Sequence, residues 1–377
     1  MVVPLAARYV AAFAGLLLVL TSGRSIIGTV IVPRPVSSWL TRRVDQGWAI
    51  VFRLVTRRIT DFRTRDRILA SQVAAVLLSQ IVVWLLMFFV GFSLLLWPLL
   101  HVGITGAFAT AGPALWAVGS ADVHGAAPHA ILDIAALCGL ITVTLQISYL
   151  PTLYSAFNRR ETDVALLNSR AGVPSWGPEL LARTHYALGS GVSSIGTLPS
   201  LYYDWERWAA DVTESHLTYS PLIWFRSADA LSSWVTALLA VLDSAALYLS
   251  LCPQAAPQVP ARLCLRSGLV CFGQVARSMG IDVPENPDVA SGISLTYAEY
   301  LEAIARLREV DFPIERDPVE AWPHFVGWRV NYERAAYAIA AAVDVVPALW
   351  SGPRRREAKR VPPLRPMPGE PQTAPVS

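Results

Sequence analysis

Charged residues are scarce in this chain: Asp, Glu, Lys and Arg together make up 16% of its 377 residues, and Lys359 is the only lysine. Hydrophobic residues make up 54%, and the mean hydropathy is +0.43. This composition is too apolar for an ordinary soluble protein. The net charge of +3 is too small to predict binding to nucleic acid. Composition therefore predicts a membrane protein with no nucleic-acid partner.

Residues that commonly carry chemistry are also few. The four cysteines, Cys138, Cys252, Cys264 and Cys271, have neither the pattern of a disulfide framework nor the spacing of a zinc site, so we expect buried reduced thiols. No His and carboxylate residues have metal-ligand spacing. The stretch GSGVSSIG at 189–196 matches neither a nucleophile elbow nor a dinucleotide loop. The sequence predicts no catalytic residues, no metal site, no cofactor and no enzyme activity.

Three long apolar runs are present, at residues 9–32, 69–100 and 130–157. Each is long enough for the roughly 20 residues that cross a bilayer. The second run has no charge, whereas the first contains Arg24 and the third Asp133. We interpret all three as transmembrane helices. A cleavable signal peptide is the alternative for the first run, because Arg8 precedes it and the string TSG interrupts it.

An arginine-rich segment, residues 33–68, separates the first two runs. It holds nine arginines and three aspartates, a net charge of +6, interleaved with aromatic side chains. The positive-inside rule places this segment in the cytoplasm, the loop 101–129 outside and the C-terminal part inside. The pattern is typical either of a helix on the inner membrane surface, held by acidic lipid headgroups, or of a solvated linker.

The loop 101–129, between the second and third runs, contains no lysine or arginine. It enters with ITGAFATAGPALW and leaves with AVGSADVHGAAP, the order expected of a short helix, extended backbone and a return. Irregular backbone at membrane depth is tolerated only where it is buried in protein or lines a watery cavity. We therefore predict a re-entrant segment, with an ordinary external loop as the alternative.

The order of span, pore loop and span is similar to the pore module of the potassium channel family, whose filter reads T-V-G-Y-G-D. The residues at the six filter positions of this chain are Ala117, Val118, Gly119, Ser120, Ala121 and Asp122. The strings TVIVPR and ISYLPTLYSAFNRRE also resemble bacterial membrane proteins described as ion-channel or two-pore-domain potassium channel family members. The resemblance extends over residues 9 to about 345. It implies passive transport of monovalent cations through a homotetramer in the plasma (inner) membrane.

Three of the six filter-like residues depart from the family's pattern. Filter carbonyls replace the hydration shell of the ion, and the filter glycines adopt backbone angles closed to side chains with a Cβ. Ala121 replaces the second glycine, and a left-handed conformation there costs roughly 1–2 kcal/mol per chain. Ser120 lacks the aromatic brace and Ala117 the hydroxyl. The departures imply a poorly selective pore or, alternatively, a non-conducting membrane-anchored scaffold or sensor.

Gly139, within the third run, is a candidate hinge at which that helix would bend in a gate. A glycine in an apolar helix also permits close packing against a neighbour. The sequence leaves both interpretations open.

Residues 158–350 contain more charge and several signals of helix ends. Thr296 with Glu299 has the pattern of a capping box, and Asp317 has that of an N-cap before Pro318. Residues 198–217 place apolar side chains on one helical face, which His216 continues as a packed histidine. We predict a helical cytoplasmic domain.

A fourth apolar run covers residues 231–251 and contains Asp243 at its middle. A carboxylate there costs about 2.5–3.5 kcal/mol on insertion into a membrane, which favours a buried helix of a soluble bundle over another span. The basic, proline-rich residues 351–377 are predicted to be disordered.

The predicted fold is an all-α membrane protein with three transmembrane helices, a re-entrant pore-like loop and a helical cytoplasmic domain. Its predicted parts are residues 1–32 (first span), 33–68 (arginine-rich segment), 69–157 (pore-like module), 158–350 (cytoplasmic domain) and 351–377 (tail).

Overall fold

The computed structural model is helical over 75% of the chain and contains no strands in the part that it describes. The described residues are 4–32, 39–100, 102–116, 118–119, 123–185, 194–285, 287–288, 292–354 and 359–365. The chain divides into two compact units, Met1–Thr60 with Ile68–Ser155 and Asp61–Arg67 with Ala156–Ser377. The predicted all-α class is confirmed.

The helices of the first unit cover the three predicted apolar runs. They are α1 (Leu5–Ile26, continued by a π-helical turn at Ile27–Ile31), α2 (Trp39–Val55), α3 (Phe62–Ala70, whose first residues belong to the second unit), α4 (Gln72–Leu96), α5 (Ile104–Leu115) and α6 (Ala126–Ala171, which continues into the second unit). Leu5–Ile31, Phe62–Leu96 and Ala126–Ala171 are long and apolar enough to cross a membrane. Pro151 lies inside α6 without ending it.

Helices α1 and α4 pack closely where two glycines meet. The carbonyl oxygen of Gly91 lies 2.5 Å from the place that a Cβ on Gly15 would take, and a Cβ on Gly91 would lie 2.8 Å from Val19. Small residues let helix backbones approach in this way in membrane proteins. Large apolar side chains elsewhere on α1 are exposed, among them Tyr9, Val10 and Phe13. The first unit therefore has apolar surface that its own packing leaves uncovered.

The second unit is a helical bundle around α9 (Trp234–Leu251). Its other helices are α7 (Gly177–His185), α8 (Leu198–Thr218), α10 (Gln258–Ser278), α11 (Tyr297–Arg308), α12 (Pro318–Arg329) and α13 (Glu333–Val343). Every residue of α9 is buried, although this helix is also long and apolar enough to cross a membrane. It contacts α7, α8, α10, α12 and α13. Packing within the unit therefore accounts for its apolar composition.

A buried ion-pair network holds the middle of α9. Arg329 forms a salt bridge with Asp243 and another, 2.7 Å long, with Glu333. The hydroxyl of Tyr332 donates to Asp243 over 2.8 Å. Removing one partner of such a buried pair typically costs about 3–5 kcal/mol, because the other charge is left unpaired. This network compensates the buried charge of Asp243. In the sequence, that residue raised the question of whether the fourth apolar run is a buried helix or another span.

Several local predictions for the second unit are confirmed. Thr296 and Glu299 form both hydrogen bonds of a capping box at α11, and Asp317 caps α12 by accepting from Val319. Helix α8 covers the predicted amphipathic segment, with its apolar face and His216 buried. These elements follow from local rules, which sequence reasoning handles well.

The start of the predicted disordered tail is packed in the structure. Arg354 donates to the carbonyls of Val345, Val346 and Ser351 at 2.6–2.8 Å. Farther on, the backbone N–H of Leu364 donates to Val173 over 2.9 Å. The structure therefore differs from the predicted disorder at residues 351–354 and 359–365. Arginine donors and backbone hydrogen bonds compensate there for the low apolar content.

Candidate pore-like site

The short helix α5 lies between α4 and α6 in the chain and packs against both. Phe108 of α5 meets Phe89 of α4 edge-on, with 5.2 Å between ring centroids. Ala111, Ala114 and Leu115 of α5 belong to one hydrophobic cluster with residues of α1, α4 and α6. Its 12 residues measure about 18 Å, which is shorter than the roughly 30 Å hydrocarbon layer of a bilayer. This helix is therefore too short to cross a membrane.

Gly139 of α6 lies in close contact with α5. A Cβ at this position would overlap the carbonyl oxygen of Leu115, the last residue of α5. The absence of a side chain lets the C-terminal end of α5 rest directly on α6. This contact agrees with the packing interpretation of Gly139, and the hinge stays a prediction.

The filter-like residues follow α5 directly. The backbone N–H groups of Val118 and Gly119 both approach the carbonyl of Pro113, at 3.0 and 3.4 Å. Val118 is 82% exposed, and Gly119 is exposed as well. Ala117, Ser120, Ala121 and Asp122 lie outside the described residues. The structure thus places two of the six residues, both at the end of α5 and uncovered by the rest of this chain.

The C-terminal end of α5 contributes to the electrostatics of the site. The last carbonyls of a helix carry a partial negative charge of about half an electron. Since the chain continues from α5 into the filter-like residues, these residues lie at the negative end of the helix. Such an end favours a cation. Asp133, near the start of α6, is an exposed carboxylate in the same unit.

Sequence analysis missed the polar contacts that fix α1 and α2 on α4. The indole N–H of Trp84 donates to Ser25 over 3.0 Å, and Ser22 donates to the carbonyl of Trp84. On the other side of α4, the indole N–H of Trp48 in α2 donates to Ser79 over 2.8 Å. The only signal in the sequence is a serine or tryptophan within an apolar run, which does not reveal its partner.

The arginine-rich segment divides between two structural roles. Arg43 and Arg53 of α2 are exposed, as are the apolar side chains Ile50, Val51 and Leu54 of the same helix. Arg65 of α3 forms a 2.7 Å salt bridge with Asp344 in the second unit. Similarly, Asp66 of α3 pairs with Arg226 at 2.6 Å. Part of the segment is therefore amphipathic surface, and part is built into the second unit by ion pairs.

Cys252, Cys264, Cys271 and His216 are buried structural groups, whereas Cys138, also expected to be buried, is only partly buried. Burial raises the pKa of the Cys252 and Cys271 thiols to about 12, so both are protonated and unreactive at neutral pH. Burial, with a smaller contribution from Arg160, holds the pKa of His216 well below its usual value. No group of three or more His, Cys, Asp and Glu residues in the described ranges is arranged to hold a metal ion.

Comparison of the chain with protein-family models, curated proteins and solved structures finds no match.

Proposed function

We propose that this chain is a pore-loop, ion-channel-like membrane protein that passes monovalent cations passively through a homotetrameric pore. Helices α1, α4 and the first part of α6 are its three spans, and α5 with the following residues is its re-entrant segment. The second unit lies in the cytoplasm and the protein is in the plasma (inner) membrane. The lipid bilayer covers the exposed apolar side chains of the spans.

The observation that carries the proposal is the placement of α5. It is an apolar helix too short to span, packed on α4 through Phe108 and on α6 at Gly139, and the exposed Val118 and Gly119 follow it. A half-length helix of this kind directs its negative end at the backbone that follows. Backbone carbonyls from four copies, at such helix ends, are a suitable environment for a dehydrated cation.

The amphipathic helix α2 supports the membrane part of the proposal. Its inner side bonds to α4 through Trp48, whereas Ile50, Val51 and Leu54 are exposed beside Arg53. Exposed apolar residues next to arginines suit the boundary between acyl chains and acidic headgroups. We infer that α2 lies on the inner face of the membrane.

The direct test is ion flux through purified full-length protein in liposomes. We expect slow, poorly selective flux of potassium and sodium for the unmodified chain. The combined variant A117T/S120Y/A121G restores a hydroxyl, an aromatic brace and a permissive glycine, so it should create or sharpen potassium selectivity. The matched control is A117T/S120Y, which keeps Ala121 and should behave like the parent.

The second candidate is a non-conducting membrane-anchored scaffold or sensor, favoured by Ala121 in the place of a filter glycine. It predicts no flux from the parent and none from the restored variant, even when both are tetrameric by light scattering. That result would replace the pore with the scaffold. A monomeric parent would contradict the shared pore before any flux is measured.

A further inference from the structure

The second unit contains a cleft between α10 and the start of α13, also lined by residues of the segment after α10. Its volume is about 240 Å³. Its lining includes three arginines, Arg266 and Arg277 of α10 and Arg334 of α13, and, among the residues that the structure describes, one carboxylate, Glu285. Such a volume is near the lower limit of small-molecule sites. The cleft is therefore large enough for a small ligand and carries an excess of positive charge.

These three arginines are outside the ion pairs that the described residues of the second unit form. Ion pairs between described residues of the second unit involve Arg65, Arg159, Arg160, Arg183, Arg226, Arg306, Arg329, Arg360 and Arg365. Arg266, Arg277 and Arg334 are exposed and are not among them. Because all three line one cleft, their positive charges together attract anions to it. Their arrangement therefore favours an anionic ligand.

The surface between the arginines suits an organic anion. Leu269 and Val283 contribute apolar surface to the cleft, and Gln274 contributes an amide. Gly273 also lines it, and a Cβ there would lie 3.5 Å from the Arg277 guanidinium. The bare backbone of Gly273 thus leaves space beside that group. A ligand with a charged head and a small apolar body would match both kinds of surface.

We propose that this cleft binds a phosphate-bearing molecule. A guanidinium donates two parallel hydrogen bonds to phosphate oxygens, and a phosphate ester carries enough charge to meet several guanidinium groups at once. The phosphate belongs either to a soluble metabolite or to a lipid headgroup. The site is independent of the pore proposal, because it involves only residues of the second unit.

The test uses the full-length protein in nanodiscs of neutral phosphatidylcholine, with binding followed by calorimetry at low salt. The two probes are inorganic pyrophosphate and dihexanoyl phosphatidic acid, the second kept below its micelle concentration. We expect one site per chain, weakened by added salt. Loss of a charge-assisted hydrogen bond reduces affinity about tenfold or more, so R266Q/R277Q/R334Q should abolish measurable binding.

The matched control is R170Q/R207Q/R308Q, which removes the same charge from exposed positions on α6, α8 and α11. Binding that survives in this control and is lost in the cleft variant supports the site. Tighter binding of pyrophosphate indicates a soluble metabolite, and tighter binding of dihexanoyl phosphatidic acid indicates a lipid headgroup. Absence of binding to either probe, or equal loss in both variants, overturns the proposal. Should the cleft variant fail to fold, R334Q is judged against R308Q by the same criteria.

Discussion

His216 shows how the fold fixes the protonation state of a single residue. The Arg160 guanidinium lies 3.0 Å from Nε2 of His216, and it also donates to the carbonyl of Leu222 over 2.8 Å. Because a guanidinium only donates, Nε2 must accept, and Nδ1 carries the ring proton. The ring also packs on Trp234, with 5.1 Å between centroids. Burial and the neighbouring positive charge therefore keep this histidine neutral.

The low pKa of His216 predicts loss of stability in acid. The unfolded chain binds a proton at this residue near pH 6.5, whereas the folded chain does not, so stability falls as the pH falls below that value. The loss is at most about 1.4 kcal/mol per pH unit. Thermal unfolding midpoints measured from pH 8 to pH 5 should decline less steeply for H216N than for the unmodified protein.

Exposed His324 provides the control for this experiment. The H324N variant should keep the pH dependence of the unmodified protein, because this substitution leaves the buried contacts of His216 intact. Equal slopes for H216N and the unmodified protein would show that His216 does not contribute to acid sensitivity.

At the scale of an element, α5 depends on one missing side chain in α6. The substitution G139A places a methyl group on the carbonyl oxygen of Leu115. Overpacking of this kind typically costs about 1–3 kcal/mol. We therefore expect a lower unfolding midpoint in detergent, and the proposed pore should lose activity because α5 is displaced.

Gly23 of α1 is the matched position for that experiment. A Cβ there would meet nothing within 4 Å, so G23A should leave the midpoint unchanged or raise it slightly through better helix propensity. If G139A and G23A unfold at the same temperature, α5 can move away from α6 without cost and the packing account of Gly139 is incorrect.

Sequence reasoning succeeded for elements whose rules are local. The cap at Thr296 and the apolar face of α8 require only a few neighbouring residues, and both are confirmed. It could not find the partner of Asp243, because Arg329 is 86 residues away. Nor does the identity of Gly139 reveal that the end of α5 rests on it. Contacts between distant segments depend on packing geometry, which composition and spacing do not encode.

At the scale of the whole molecule, the proposed topology predicts different accessibility at two serines. On a background carrying C138S, cysteine at Ser120 should react with an impermeant thiol reagent on intact cells, and cysteine at Ser169 should not. Ser169 is exposed in the structure, so the membrane rather than burial would protect it. Permeabilised cells should label at Ser169. Labelling there on intact cells would contradict a cytoplasmic second unit.

The buried network around α9 also has a consequence during synthesis. Helix α9 leaves the ribosome well before Arg329, and at 5–20 residues per second the delay is about 4–17 seconds. During this interval α9, which is apolar and long enough to span, can reach the insertion machinery before all the helices that later cover it have been made. Asp243 then lacks its partner, and its charge opposes insertion by about 2.5–3.5 kcal/mol. We infer that this carboxylate disfavours insertion of the nascent helix before it joins the core of the finished bundle.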